Sequence, residues 1–199
     1  MTDPKTNSIL DEGNRLFLQG KLKEAIVYYE KILKENPKHL SSLNNKGYAL
    51  SKLKDFDNAM KCYDVALQIS PDDLSVLVNK TSTFRKQGNF AEALLLCDKI
   101  LKNHSKYNIN LYHKERILFS MKKFEDSILC CNIILKDYPN NGDVLFDKSC
   151  NLAMLSNFDE ALNLLERIIS QETQYKVKAK KSKSFAKLLD NSRFQKLVS

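Results

Sequence analysis

Apolar and small residues recur along this chain with a period of 34 residues, and residues 43 to 71 show the characteristic positions of one copy. In the first half of that copy, Leu43, Gly47 and Leu50 are spaced by four and three residues, which places them on one face of a helix. The second half repeats this spacing at Phe56, Ala59, Tyr63 and Ala66. Each copy therefore predicts two helices joined by a short turn. Pro71 marks the end of the second helix, because proline has no amide hydrogen and restricts the residue before it.

The pattern returns in five copies without a change of register. The position of Ala59 holds a small residue in every copy, and its equivalents are Ala25, Ala93, Ser127 and Ala161. The position of Gly47 varies more, and its equivalents are Gly13, Thr81, Glu115 and Ser149. One helix hairpin cannot bury both of its helices, so copies of this size must stack on one another. We therefore predict a solenoid of five antiparallel helix pairs.

At these residues the chain resembles the tetratricopeptide repeat family, which has the same period and the same small–aromatic–Ala–Pro pattern. The resemblance covers about residues 6 to 173 and implies an all-α, right-handed superhelical solenoid. The chain departs from the family where the first helix usually holds Trp, because that position holds Ile9, Leu43, Leu77, Leu111 and Leu145.

The repeat stops after Gln171, and residues 174 to 199 form a basic closing segment. Residues 184–198 of this segment, SFAKLLDNSRFQKLV, are similar to the segment that often ends prokaryotic tetratricopeptide proteins. We expect capping helices here, in the same domain as the repeats at 6–173. The second helix of the fifth pair is apolar on more than one face, so a neighbour must cover it. The residues expected to do so are Phe185, Leu188, Leu189, Phe194 and Leu197.

The sequence shows few signs of a catalytic, phosphate-binding or metal-binding site. It contains no nucleophile elbow, phosphate loop, HExxH or CxxC motif, and its three histidines lack carboxylate or cysteine neighbours at ligand spacing. The start, MTDPKTNS, lacks the apolar core of a signal peptide, and no apolar run is long enough to span a membrane. We expect a cytoplasmic protein that is not an enzyme and has neither cofactor nor metal.

The resemblance implies that the first helix of each pair lines a groove for a peptide or a partner helix. The residues expected in that groove are Asn14, Asn45, Tyr48, Asn79, Tyr112, His113 and Phe146. Asn45 and Asn79 lie one period apart and can bond a peptide backbone, or they are simply solvated residues on a helix face. The position shared by Leu10, Val78, Tyr112 and Phe146 is either an exposed apolar strip or part of the core.

Two features concern the kind of partner. The cations with which chaperone-binding family members hold a C-terminal carboxylate are missing at the matched positions, so a heat-shock chaperone partner is not expected. Lysine recurs at one position of four copies: Lys46, Lys80, Lys114 and Lys148. These lysines can attract an acidic partner, or the aliphatic stems of their side chains can pack along a neighbouring helix, and we favour packing.

Charge offers an alternative function. The formal net charge is +8, and residues 174 to 199 contribute +7 of it, from eight basic residues and one acid. The main function predicted is protein binding as a scaffold or adaptor. The alternative is nucleic-acid or anionic-surface binding through the lysines at the start of the closing segment: Lys176, Lys178, Lys180, Lys181 and Lys183.

Overall fold

The computed structural model describes residues 3–104 and 108–199, and its regular structure there is helical. The first three pairs are α1 (Pro4–Leu18) with α2 (Leu22–Glu35), α3 (Leu40–Lys52) with α4 (Phe56–Ile69), and α5 (Leu74–Gln87) with α6 (Phe90–Asn103). Two pairs follow: α7 (Asn108–Ser120) with α8 (Phe124–Asp137), and α9 (Gly142–Met154) with α10 (Phe158–Gln171). The chain closes with α11 (Gln174–Lys181), a 3₁₀ helix η1 (Lys183–Leu188) and α12 (Ser192–Val198). The predicted all-α fold of consecutive helix pairs with a helical cap is confirmed.

The helices fall into two compact units, which divide between Asn103 and His104. The N-terminal unit contains α1 to α6, and the C-terminal unit contains α7 to α12 with η1. In each unit the helices pack against their neighbours in sequence. Over residues 3–104 and 108–199, no helix combines the length and the apolar character that crossing a membrane requires.

Polar side chains start several of the first helices. Asp73 Oδ1 accepts a hydrogen bond from the Val76 amide at 2.9 Å, and Asn141 Oδ1 accepts one from the Val144 amide at 3.2 Å. These bonds satisfy amides that have no partner inside the first turn of a helix. They fix where α5 and α9 begin after the proline-containing loops.

The two helices of each of the first two pairs meet at a glycine and a tyrosine. A Cβ atom added to Gly13 would lie 2.7 Å from Tyr29 Cε1, and one added to Gly47 would lie 2.6 Å from Tyr63 Cε1. Both tyrosines are almost completely buried. Only glycine leaves room for these rings, which explains why its position precedes a tyrosine by 16 residues in both copies.

Later copies change both members of this pair together. The glycine position becomes Thr81, Glu115 and Ser149, and the tyrosine position becomes Cys97, Cys131 and Leu165. All six residues are buried. A larger residue on the first helix is thus matched by a smaller one on the second, which preserves the packing volume.

The closing segment shares one hydrophobic core with α9 and α10. Phe185, Leu188 and Phe194 are at most 2 % exposed, and Leu197 is partly buried against the same core. Leu189 was expected to help cover the fifth pair, but it is 57 % exposed because η1 ends at Leu188 and turns the next side chain outward. Three further residues take part in the cover: Tyr175, Ala179 and Val198.

Candidate functional site

A recess in the N-terminal unit brings together three of the residues expected in the groove. Its volume is about 240 Å³, and side chains of α1, α2 and α3 line it: Asn14, Phe17, Leu18, Tyr29, Asn45 and Tyr48. Asn14, Asn45 and Tyr48 come from the first helices of two successive repeats. The recess therefore has an apolar part and a polar part within reach of one ligand side chain.

Amide side chains connect the first helices of successive repeats. Asn14 Oδ1 accepts hydrogen bonds from Tyr29 OH at 3.0 Å and from Asn45 Nδ2 at 2.8 Å. In the next repeat, Asn79 Nδ2 donates to Asn44 Oδ1 at 2.9 Å. The amides are therefore neither simply solvated nor fully available, because Asn45 and Asn79 each have one fixed bond and Asn14 has two, and all three keep hydrogen-bonding capacity for a ligand.

Two lysines lie over the tyrosine at the edge of the recess. The Tyr48 ring contacts the Phe17 ring with centroids 5.2 Å apart, and the Lys52 and Lys86 ammonium groups lie 5.5 and 5.6 Å from its centroid. Lys86 Nζ also lies 3.4 Å from the buried Ser51 Oγ. Desolvation of this ammonium, and then the charge of Lys52, lower the pKa of Lys86. The recess has a cationic rim that the sequence analysis did not identify.

The repeat position shared by Leu10, Val78, Tyr112 and Phe146 contains both core residues and residues that line a recess. Val78 is only 9 % exposed and belongs to the core of its unit. Leu10 and Tyr112 are partly buried, and Tyr112 lines a second recess, of about 400 Å³, in the C-terminal unit. Arg116 donates a hydrogen bond from Nη1 to Tyr112 OH at 3.1 Å. Burial raises the pKa of Tyr112 to about 12.

Phe146 and His113 complete the expected groove residues, and both are partly buried in the C-terminal unit. Phe146 stacks on Tyr175 with ring centroids 5.8 Å apart, and its edge meets Phe185 at 6.0 Å. The capping segment thus already packs against Phe146, whereas Tyr48 in the N-terminal unit lines an open recess. Three of the expected residues line the recess of the N-terminal unit, whereas Tyr112 is the one expected residue that lines the recess described in the C-terminal unit.

The C-terminal unit contains a buried carboxyl group, that of Glu115, which the sequence pattern did not predict. Glu115 is 1 % exposed, and its Oε1 accepts hydrogen bonds from Ser127 Oγ at 2.9 Å and from Asn151 Nδ2 at 3.2 Å. Burial, followed by the charge of Asp147, raises the pKa of Glu115 to about 7. The available signal was a glutamate at the glycine position together with a serine at the alanine position of the same repeat.

The lysines of the closing segment are mostly at the surface. Lys178, Lys180, Lys181 and Lys183 are exposed or nearly so, and Lys176 is partly buried. Lys178 Nζ lies 2.7 Å from Asp143 Oδ1, and Lys176 Nζ donates to the Ser199 carbonyl oxygen at 3.0 Å. Part of this charge is therefore used within the C-terminal unit.

The column of repeated lysines is engaged with the preceding helices. Bonds join three pairs of residues sixteen positions apart: Lys46 with Glu30 at 2.8 Å, Lys80 with Asp64 at 2.5 Å, and Lys148 with Asn132 at 2.7 Å. Each bond links the first helix of one repeat to the second helix of the repeat before it. Lys46, Lys80 and Lys148 therefore lie at the contacts between successive repeats, where their ammonium groups bond to the preceding helix.

Sequence comparison identifies the repeat itself. Models described as "Tetratricopeptide repeat" match residues 13–39 and residues 41–73, which are the first two copies. The remaining copies keep the same period and the same helix pairing. This chain is a tetratricopeptide repeat protein.

Solved tetratricopeptide repeat structures share this fold. A tetratricopeptide repeat protein from Parabacteroides merdae is 17% identical, with a TM-score of 0.71 over 99% of this chain and 84% of that chain. A thermophilic protein from Thermus thermophilus is 16% identical, with a TM-score of 0.73 over 87% and 96% of the two chains. YrrB, described as having an unusual peptide-binding site, is 15% identical, with a TM-score of 0.62 over 87% and 91%. No curated protein sequence matches the chain significantly.

The tetratricopeptide fold is in general a non-catalytic scaffold for protein–protein interaction. In the part of the chain that the structure describes, no group of three or more His, Cys, Asp or Glu residues is arranged to hold a metal ion. What the described surface offers instead is a recess with apolar walls, oriented amides and a cationic rim.

Proposed function

We propose that this chain is a non-catalytic scaffold and that the recess between α1 and α3 binds a peptide or a partner helix. The observation that carries the proposal is the meeting of Asn14, Asn45 and Tyr48 around one recess of about 240 Å³. These residues come from neighbouring repeats, so the site exists only when the repeats are stacked. Such a site contacts a partner through two first helices at once.

The walls of the recess suit a partner with an apolar side chain. Leu18 is 84 % exposed and lines the recess beside Phe17 and Tyr48. Covering such a side chain removes apolar area from water and stabilises a complex. The fixed amides of Asn14 and Asn45 can then orient the backbone of the bound segment.

Selected peptides test this proposal. Peptides taken from a random phage-displayed library with the full chain as bait are titrated against wild type and a Tyr48→Ala variant. We expect at least about tenfold weaker binding to Tyr48→Ala, because aromatic side chains at the centre of an interface often dominate the affinity. Val27→Ala, which removes a 49 % exposed apolar side chain of the second helix α2, is the control. Equal affinities for wild type and Tyr48→Ala would place the binding surface elsewhere.

A second candidate is nucleic-acid or anionic-surface binding by the closing segment. It is supported by the exposure of Lys180 and Lys181 at the end of α11. A fluorescent single-stranded oligonucleotide tests it, because phosphate contacts make log affinity fall steeply with log salt. An affinity that barely changes with salt, or that survives exchange of these lysines for Gln, would contradict it.

We also propose that residues 174–199 belong to the same domain as the repeats at 6–173, in a cytoplasmic protein. The shared core of the cap with α9 and α10 supports the first point, since Phe185 and Phe194 are buried there with Leu165. The second is supported by the four buried cysteines, which serve as small apolar core residues.

A further inference from the structure

Two of the three first helices in the N-terminal unit, α3 and α5, carry positive charge only. Helices α3 and α5 contain five cations and no carboxylate: Lys46, Lys52, Lys80, Arg85 and Lys86. The second helices α2 and α4 contain both signs, and two of their acids, Glu30 and Asp64, pair with Lys46 and Lys80. Lys52 and Lys86 are not in these two pairs, and they lie in the last turns of α3 and α5.

Lys52 and Lys86 lie one repeat apart and converge on the same ring. Their ammonium groups are 5.5 and 5.6 Å from the Tyr48 centroid, beside the recess. Within residues 3–104 and 108–199, neither forms an ion pair with a carboxylate. Two cations held on one aromatic ring repel each other, and an anion between them relieves that repulsion.

The fold itself does not require these two lysines. Cations in the last turn of a helix do complement its exposed carbonyl groups. However, the other three copies have Leu18, Ser120 and Met154 at this position, and their helices end in the same place. The pair in the second and third copies therefore needs another explanation, and ligand binding supplies one.

We propose that the N-terminal unit binds an acidic peptide segment, with an Asp or Glu side chain between Lys52 and Lys86 and a neighbouring apolar side chain in the recess. This inference rests on the proposed function, because it assigns the chemistry of the peptide. The apolar side chain contacts Phe17 and Leu18, and the carboxylate is held at the rim a short distance along the segment. Charge at the rim selects the partner and speeds the encounter.

A nucleic acid fits this surface less well than a peptide. Single-stranded nucleic acids need open aromatic faces on which bases stack. The Tyr48 ring is in contact with Phe17, and the Lys52 and Lys86 ammonium groups lie 5.5 and 5.6 Å from its centroid, so these neighbours occupy part of the surface on which a base would stack. The amides of Asn14 and Asn45, in contrast, match the donors and acceptors of a peptide backbone.

Synthetic peptide libraries test the charge preference directly. Three libraries contain a fixed Leu or Phe flanked by Asp and Glu, by Asn and Gln, or by Lys and Arg, and each is titrated against the full chain. We expect the acidic library to bind about tenfold more tightly than the neutral one, and the basic library to bind weakest. The variant Lys52→Gln with Lys86→Gln should lose this preference. Lys23→Gln with Lys34→Gln, which removes two exposed lysines of α2, should keep it.

The outcomes separate this inference from the proposed function. Equal binding of acidic and neutral peptides, unaffected by the Lys52 and Lys86 exchanges, overturns the acidic partner but leaves peptide binding intact. No binding by any library overturns both. A thymidine oligonucleotide that binds wild type and loses its affinity in the Lys52→Gln, Lys86→Gln variant assigns the lysines to nucleic acid and also overturns the inference.

Discussion

In the fourth repeat a carboxyl group occupies the position that glycine holds in the first two. Glu115 fits because Cys131 replaces a tyrosine on the facing helix and because Ser127 and Asn151 donate hydrogen bonds to it. A buried carboxyl group in such a place folds most favourably in its neutral form. The C-terminal unit therefore carries a titratable group in its core.

The stability of the C-terminal unit should fall as pH rises through 7. The pKa of Glu115 is raised from 4.5 to about 7 on folding, so its favourable contribution is complete below pH 4.5 and is lost above pH 7. Glu115→Gln keeps the acceptor oxygen but cannot ionise. We expect it to raise the free energy of unfolding at pH 8 by on the order of 3 kcal/mol and to have little effect at pH 4.5.

Denaturant unfolding at a series of pH values measures this effect. Glu125→Gln, an exchange of an exposed glutamate on the neighbouring helix α8, is the control and should leave the pH dependence unchanged. The charges that act on the pKa of Glu115 are those of Asp147 and Arg116, and both residues stay in place in either variant. A Glu115→Gln protein with the same pH profile as wild type would show that the carboxyl group is not buried in the folded state.

Gly47 should tolerate no side chain while Tyr63 is present. A Cβ atom at this position would lie 2.6 Å from the Tyr63 ring, so Gly47→Ala overpacks the contact between α3 and α4. We expect a loss of about 1–3 kcal/mol, larger than the gain of about 1 kcal/mol in helix propensity. Adding Tyr63→Leu, as at Leu165 of the fifth repeat, should recover part of the loss in thermal melts. Additive losses in the double variant would rule out a direct clash.

At the scale of the element, every helix pair is joined by a turn with the same backbone conformation. The residues at this turn have positive φ in all five repeats: Gly20, Lys54, Gly88, Lys122 and Ser156. Glycine adopts this conformation without cost, whereas a residue with a Cβ atom does not. Three of the five turns are therefore formed by residues that are poorly suited to them.

Lys54→Gly should stabilise the N-terminal unit. Its φ of 65° is left-handed, so removing the side chain relieves strain worth about 1 kcal/mol. Lys21→Gly is the matched control, because Lys21 ends a similar turn with a φ of −80° and should lose stability through added backbone freedom. Both are compared with wild type by denaturant midpoint. A Lys54→Gly protein that is less stable than wild type would contradict the expectation.

The cap stabilises the fifth repeat through its apolar side chains rather than its charge. Phe185 is fully buried against Phe146 and Phe194. Phe185→Ala should therefore lower the stability of the C-terminal unit by about 3–5 kcal/mol. Exchange of Lys176, Lys178, Lys180, Lys181 and Lys183 for Gln should cost little, since exposed ion pairs contribute at most about 1 kcal/mol each. If Phe185→Ala and the exchange of the five lysines lowered the melting temperature equally, the claim that apolar side chains rather than charge stabilise the fifth repeat would be wrong.

At the scale of the whole molecule, the features set by local sequence were predictable and the contacts between repeats were not. The five helix pairs follow from spacing within one repeat. The bond between Asn45 and Asn14, or between Lys80 and Asp64, joins residues of different repeats. Such a bond depends on how neighbouring repeats are rotated, which a periodic pattern does not encode.

In the candidate site, too, the positions of residues on their helices were predictable and the contacts between helices were not. The family resemblance placed Asn14, Asn45 and Tyr48 on first helices, and the structure brings them to one recess. Neither the cationic rim of Lys52 and Lys86 nor the cover of the cap over Phe146 followed from the pattern. Both depend on side chains that reach across to another helix.

Mapping a bound peptide onto the full chain by NMR is the most direct test of the central proposal. The measurement compares amide and side-chain shifts of the isotope-labelled protein with and without a peptide selected from the phage library. We predict that the largest changes fall on the recess, at the side-chain amides of Asn14 and Asn45 and around Tyr48 and Leu18. Changes confined to residues 174–199, or to the second helices α2 and α4, would contradict the proposal that the first helices of the N-terminal unit bind the partner.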